Sequence, residues 1–171
     1  MTSKSKVKGN SWEREVSKHL TEIYGEPFIR VPNSGAYIGG ANTKRKEFLH
    51  EGQIRSFKGD IIPGESFPKF NCECKSYADF PFHQLFQGNC KQLNGWIDQL
   101  LEVADEGDFN ILLMKFTRIG KFVVIDFDAN VDHPLFVEYH MLYEYNGKRW
   151  AIMDYDRFWN LNSEYVRIAC A

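Results

Sequence analysis

Asp60, Glu73 and Lys75 are the residues whose types and spacing invite chemistry: an aspartate, then a glutamate with a lysine two positions after it. Phosphodiester hydrolysis uses such a set. Carboxylates hold Mg²⁺ or Mn²⁺, the ion activates water and neutralises developing charge, and a lysine orients the nucleophile or stabilises the transition state. Glu13, far upstream, offers a further ligand for the metal or its water. A D…ExK spacing also arises by chance on charged surfaces, so the elements that hold these residues decide whether they meet.

Asn10 reads as an N-cap with Glu13 at the capping-box position, and Trp12, Val16, Leu20 and Ile23 repeat at helical intervals up to Gly25. The spacing predicts an amphipathic helix over 11–24 with Glu13 beside its buried stripe. Before it, Lys4, Lys6 and Lys8 make residues 1–9 a flexible basic arm. Pro27 to Val31 is a short strand stopped by Pro32-Asn33-Ser34-Gly35, and 36–58 is a long polar loop carrying Lys44, Arg45, Lys46, Arg55 and Lys58. Asp60-Ile61-Ile62 and Phe70 to Lys75 lie either side of a turn-rich stretch and predict a β-hairpin, which would bring Asp60 to Glu73. Alternation in the second arm puts Glu73 and Lys75 on one face, and Cys72 and Cys74 on the other.

Further along, Leu93, Trp96, Ile97, Leu100 and Leu101 predict a helix over 85–103. Strands 111–116 and 122–127 surround Arg118-Ile119-Gly120, and 136–145 and 149–153 surround Asn146-Gly147, a strong hairpin dipeptide. A short helix over 155–159 closes the list of elements. The sequence holds no internal repeat and no low-complexity segment.

A chain of 171 residues, 43% hydrophobic and 26% charged, is sized for one well-buried domain. It has no apolar run near the roughly 20 residues of a membrane-spanning helix and no secretory signal, so a soluble, intracellular protein with no membrane partner is expected. Cys72, Cys74, Cys90 and Cys170 are too sparse for a disulfide scaffold and read as reduced thiols. The net charge of −2 hides a gradient: residues 1–60 hold 11 Lys/Arg against 7 Asp/Glu, whereas five acids and no base lie from Asp98 to Asp108. A polyanion would meet the N-terminal third. Cys72, Cys74, His83 and Cys90 are rival ligands for zinc, although C-x-C in a strand lacks the turn of a zinc knuckle. His19, His50, His133 and His140 stand isolated and read as structural or solvated. Phe80, Phe82 and Phe86 follow the lysine strand; core packing is the commoner fate of such residues, with Phe82 or Phe86 as candidates to line a nucleic-acid surface.

Gly59-Asp60 followed by Glu73-Cys74-Lys75 resembles the PD-(D/E)XK nuclease signature, with Gly59 standing where the motif has proline. Lys8-Gly9, Glu13-Arg14-Glu15, Arg30 and Ser34-Gly35 further resemble the N-terminal pattern of archaeal-type Holliday junction resolvases, over roughly residues 8–127. The resemblance implies a restriction-endonuclease-like α/β (α+β) fold, a mixed β-sheet flanked by helices. It makes 10–127 a nuclease core with an insertion at 36–58, and 128–171 a C-terminal β-hairpin extension of the same domain that extends the sheet or builds a dimer. It implies catalysis by Glu13, Asp60, Glu73 and Lys75, Mg²⁺ or Mn²⁺ on Glu13, Asp60 and Glu73, and Arg14, Arg30 and Ser34 near DNA or the scissile phosphate. Lys8, Lys44, Arg45, Lys46, Arg55 and Lys58 join them as phosphate contacts on charge. The expected activity is structure-specific cleavage of four-way DNA junctions by a homodimer in the cytoplasm or nucleoid, or in a host cytoplasm for a viral chain. A sequence-specific or nicking endonuclease, in which 36–58 reads bases in a groove, and a non-catalytic DNA-binding protein of the same fold are the alternatives.

Overall fold

Trp12, Val16, Leu20 and Tyr24 recur every four residues and are all buried, which fixes one face of helix α1 (Lys4–Tyr24) against the protein interior. In this computed structural model, residues 4–32, 58–130 and 138–171 are described. The helix begins at Lys4, earlier than the predicted cap at Asn10 and inside the predicted flexible arm. Asn10 is therefore an interior helical residue, and its side chain accepts a hydrogen bond from Arg30. Gly25, at φ +67°, ends the helix and donates its N–H to the Thr21 carbonyl. The predicted loop over 36–58 lies outside the described residues except for Lys58, as do Ser34, His50 and His133.

The predicted hairpin between Asp60-Ile61-Ile62 and Phe70 to Lys75 does not form as a ladder. Strand β1 (Ile29–Arg30) pairs antiparallel with β2 (Ile61–Ile62), Ile29 opposite Ile62 and Arg30 opposite Ile61, as a separate two-stranded sheet. Asp60 still reaches β3 (Phe70–Tyr77), through the hydrogen bond from its own N–H to the Cys72 carbonyl. Both residues of β2 are paired with β1, which leaves Asp60, just before them, as the residue that bonds β3.

From β3 the chain crosses one face through α2 (Phe82–Phe86) and α3 (Lys91–Glu102), where the sequence predicts one helix over 85–103. Gly88, at φ +78°, separates the two. The crossover returns to β4 (Phe109–Phe116), parallel to β3, and β5 (Gly120–Asp126) follows antiparallel as predicted. A 3₁₀ turn at Asp128–Asn130 leads on, and β6 (Met141–Tyr145) and β7 (Lys148–Asp154) form the predicted hairpin about Asn146 and Gly147, both at positive φ. The five strands lie in the order β3-β4-β5-β7-β6, so the C-terminal hairpin extends the sheet.

β4 is covered on both faces, and its alternation sorts the core into two layers. Phe109, Ile111 and Leu113 join Cys72, Cys74, Val123 and Ile125 beneath α1 and α4 (Tyr155–Cys170). Leu112, Met114 and Phe116 join Val124 and Ile152 beneath α3. The final helix spans 16 residues, far beyond the predicted 155–159, because Phe158, Trp159, Asn162, Val166 and Cys170 keep one face buried to the end. Asp154 caps it by accepting the Arg157 N–H. The result is a single mixed α+β domain with helices on both faces of the sheet, of restriction-endonuclease-like form. Among the described residues no helix is long and apolar enough to cross a membrane.

Candidate active site

β3 is an edge strand of the five-stranded sheet, and its outer side is where the carboxylates gather. Glu73 is in mid-strand, on the face that carries Leu112 and α3, and is only 3% exposed. Lys75, two residues on and on the same face, places Nζ 3.1 Å from Glu73 Oε1 and donates to Gln99 Oε1 of α3 at 2.6 Å. Alternation therefore sorts this strand as predicted: Cys72 and Cys74 point to the opposite layer.

Asp60 is brought in by its backbone. Gly59 turns the chain at φ +68°, a conformation closed to proline, and a Cβ there would lie 2.5 Å from the Cys72 carbonyl oxygen. The glycine in place of the motif's proline thus has a local steric reason. Beyond it, the Asp60 N–H donates to Cys72 O at 2.8 Å, the Val31 N–H donates to Asp60 O at 2.9 Å, and the Cys74 N–H donates to Asp60 Oδ2 at 2.6 Å. One carboxylate oxygen is committed to the strand, and the side chain is hydrogen-bonded to Glu73.

Two buried carboxyl groups side by side repel as anions. Burial first, and then the Asp60 charge, push the Glu73 carboxyl up to about 8, against the opposing pull of Lys75. Glu13 is raised as well, by burial and then by Asp60, while Arg30 and Lys75 oppose the shift. Its carboxylate is paired with Arg30 Nε, and Arg30 Nη2 donates to Asn10 Oδ1 at 2.6 Å. Glu13 thus senses the Asp60 charge, yet its own ion pair is with Arg30.

Two adjacent buried carboxyl groups, one of which raises the proton affinity of the other, are the donor set a hard divalent cation fits, since Mg²⁺ and Mn²⁺ favour carboxylate oxygen. Asp60 and Glu73 make that set. No group of three His, Cys, Asp or Glu residues among those described is close enough to hold a metal ion, so Glu13 does not join the pair in this arrangement. The thiols make no zinc site either. Cys72 and Cys74 lie in the layer under α1 and Cys90 lies in the layer under α3, on opposite faces of the sheet.

Of the candidate DNA contacts, Arg14 and Lys8 are exposed on α1, with Lys8 Nζ 3.5 Å from Thr117 Oγ1, and Arg30 is half-buried on Glu13. Ser34, Lys44, Arg45, Lys46 and Arg55 lie outside the described residues. Lys58 departs from the expectation of a phosphate contact. It is 8% exposed, with Nζ paired to Asp108 and 3.2 Å from Asp105 Oδ2, which gives its charge an internal partner. Phe82 is packed edge-on to Phe80, Phe116 and Phe122, whereas Phe86 is 82% exposed.

Three supporting roles are absent from the sequence reading, which takes Asn10 as an N-cap and Asp108 as the end of an acidic stretch: Asn10 behind Arg30, Gln99 behind Lys75 and Asp108 behind Lys58. Gln99 carried one signal, a polar position beside the buried stripe of Trp96, Ile97 and Leu100; the other two pairings join distant segments and leave no local trace.

The family described as "phage putative PDDEXK endonuclease" matches residues 4–167, nearly the whole chain. The chain belongs to that family. Membership makes it a nuclease of the PD-(D/E)XK superfamily, an enzyme class that acts on DNA and generally uses divalent metals. Neither the curated proteins nor the solved structures provide a match.

Proposed function

We propose that the protein is a Mg²⁺- or Mn²⁺-dependent endodeoxyribonuclease that cuts branched DNA, four-way junctions foremost, as a homodimer. The observation that carries the catalytic reading is the meeting of the Asp60 and Glu73 carboxyls on an edge strand with Lys75 Nζ 3.1 Å from Glu73. Asp60 and Glu73 would hold the cation, which supplies charge neutralisation at the phosphoryl oxygens and a more acidic water when bound. Glu73 would need to be ionised to hold a cation, since a neutral carboxylic acid is a poor ligand. Lys75, held between Glu73 and Gln99, presents an ammonium group to orient the attacking water or to meet developing negative charge.

Glu13, which senses the Asp60 charge from α1, would complete the carboxylate cluster only when a bound cation draws it in. Arg30, which now pairs with it, and the exposed Arg14 and Lys8 form a basic margin for the phosphodiester backbone. Ser34 and the basic residues Lys44, Arg45, Lys46 and Arg55 belong to the same proposed margin. The preference for junctions rests on the likeness of Lys8-Gly9, Glu13-Arg14-Glu15, Arg30 and Ser34-Gly35 to the resolvase pattern, and two symmetric cuts require two sites at a fixed separation.

Labelled four-way junction, flap and linear duplex, incubated with wild type and Lys75→Ala in Mg²⁺ or EDTA, test the proposal. Paired symmetric nicks in the junction alone, dependent on metal and reduced by about 10³-fold or more in Lys75→Ala with junction affinity nearly unchanged, are expected. Duplex cutting at a defined site would assign a sequence-specific enzyme instead. Tight binding without any cutting would assign the non-catalytic role.

A further inference from the structure

None of the acidic side chains from Asp98 to Asp108 pairs with Asp60, Glu73 or Lys75 in the contacts described above, and two of them hold a buried lysine. Lys58 is separated from Asp60 by one residue, Gly59. Its ammonium lies against Asp108, itself 7% exposed in its side chain, and 3.2 Å from Asp105 Oδ2. Asp108 Oδ2 also accepts the Asp105 N–H at 2.8 Å, so the turn between α3 and β4 is closed around the same oxygen that receives the lysine. The end of that turn is tied to the residue that leads into the edge strand, because the Phe109 N–H donates to Lys69 O at 2.7 Å.

The chain entering Asp60 is thus fixed on both sides. Downstream, Asp60 is bonded to Cys72, Cys74 and Val31; upstream, the ion pair ties Lys58 to the α3–β4 turn. Gly59 between them has a left-handed φ and no room for a side chain. A buried ammonium cannot leave its partners cheaply, so the pair holds this turn in one arrangement.

We propose that Lys58, through its buried pairing with Asp108 and a second contact to the more exposed Asp105, is a positioning residue that sets Asp60 against Glu73. The inference rests on the metal-site reading above for its functional meaning and on the backbone geometry for its physical content. It assigns Lys58 an internal task in place of a phosphate contact.

The test compares wild type with Lys58→Met, Lys58→Arg and Asp108→Asn, and with Val166→Ala, a core truncation in α4 away from the site, as a control for general destabilisation. Mn²⁺ affinity is measured by calorimetry on the full-length protein, and the Cys74 amide, whose proton is bonded to Asp60, is followed by hydrogen exchange. Lys58→Met and Asp108→Asn are expected to weaken Mn²⁺ binding by about tenfold or more, as loss of a supporting partner does, and to lower Cys74 protection. Lys58→Arg should retain most of both, and Val166→Ala should change neither beyond its effect on global stability. If Lys58→Met fails to fold, Asp108→Asn, which keeps the shape of its partner, decides by the same criteria. Unchanged Mn²⁺ affinity and Cys74 protection would overturn the inference, as would losses no larger than those of Val166→Ala. A wild type that binds no Mn²⁺ would remove the metal-site reading alone, and Cys74 exchange would then decide whether Lys58 positions Asp60.

Discussion

Glu73 is a carboxyl group held where its charge is least welcome: inside the protein, beside another carboxylate, with one lysine to offset both. Its folded-state proton affinity is above that of the unfolded chain, so the folded state binds more protons between the ordinary carboxylate value of 4.5 and about 8. The stabilising contribution is complete below the lower value and is lost as pH rises through the upper one. In EDTA, Glu73→Gln is therefore expected to melt higher than wild type at pH 9, with the difference closing toward pH 4.5, in a thermal scan at several pH values. Mg²⁺ should reverse the order at pH 8 by stabilising the wild type and not the variant; at 100 times Kd such binding contributes about 2.7 kcal/mol. The pair of residues and the lysine were legible in the sequence because strand alternation is a local rule. The strength of the perturbation was not, since it depends on burial and on Asp60 arriving from a separate segment.

At the scale of elements, the segment from Lys58 to Ile62 shows how a correct neighbour can be inferred through an incorrect pairing. The sequence predicted a hairpin ladder between the two arms; the structure has β2 paired with β1, and Asp60 docked on β3 by its own backbone and side chain. Apolar pattern and turn residues mark where strands occur, but the choice of partner is made by tertiary contacts that a short strand does not encode. The same reason explains the split of the 85–103 helix at Gly88 and the extension of the last helix to Cys170, one missed through turn geometry and the other through burial of its distal turns. Gly59 carries a sharper consequence. With φ at +68° and a carbonyl oxygen 2.5 Å from its would-be Cβ, Gly59→Ala is expected to lose about 2 kcal/mol or more, lowering Tm by about 4–8 °C, measurable by calorimetry.

For the whole molecule, the sheet makes residues 128–171 indispensable. β7 lies between β5 and β6, and α4 shares with α1 the task of covering one layer of the core, with Trp12 and Tyr155 rings 5.3 Å apart. A chain ended at residue 127 would expose β5 and the apolar face beneath α4. It is expected to show no cooperative thermal transition, although the resemblance to resolvases ends there. The helical flanks of the sheet followed from the family resemblance and the C-terminal hairpin from Asn146-Gly147; the strand order was not legible, because it is a property of the assembled layers. The outer margin of β3 also bears on how the protein stays dispersed. An edge strand offers unpaired backbone groups to any neighbouring chain, and here Asp60 occupies two of them, accepting from the Cys74 amide and donating to the Cys72 carbonyl. The aspartate that would bind metal is also a guard against strand addition. Asp60→Ala should therefore scatter light and sediment as larger species on warming, while Asp60→Asn, which keeps an acceptor for the Cys74 amide, should remain monodisperse to a higher temperature.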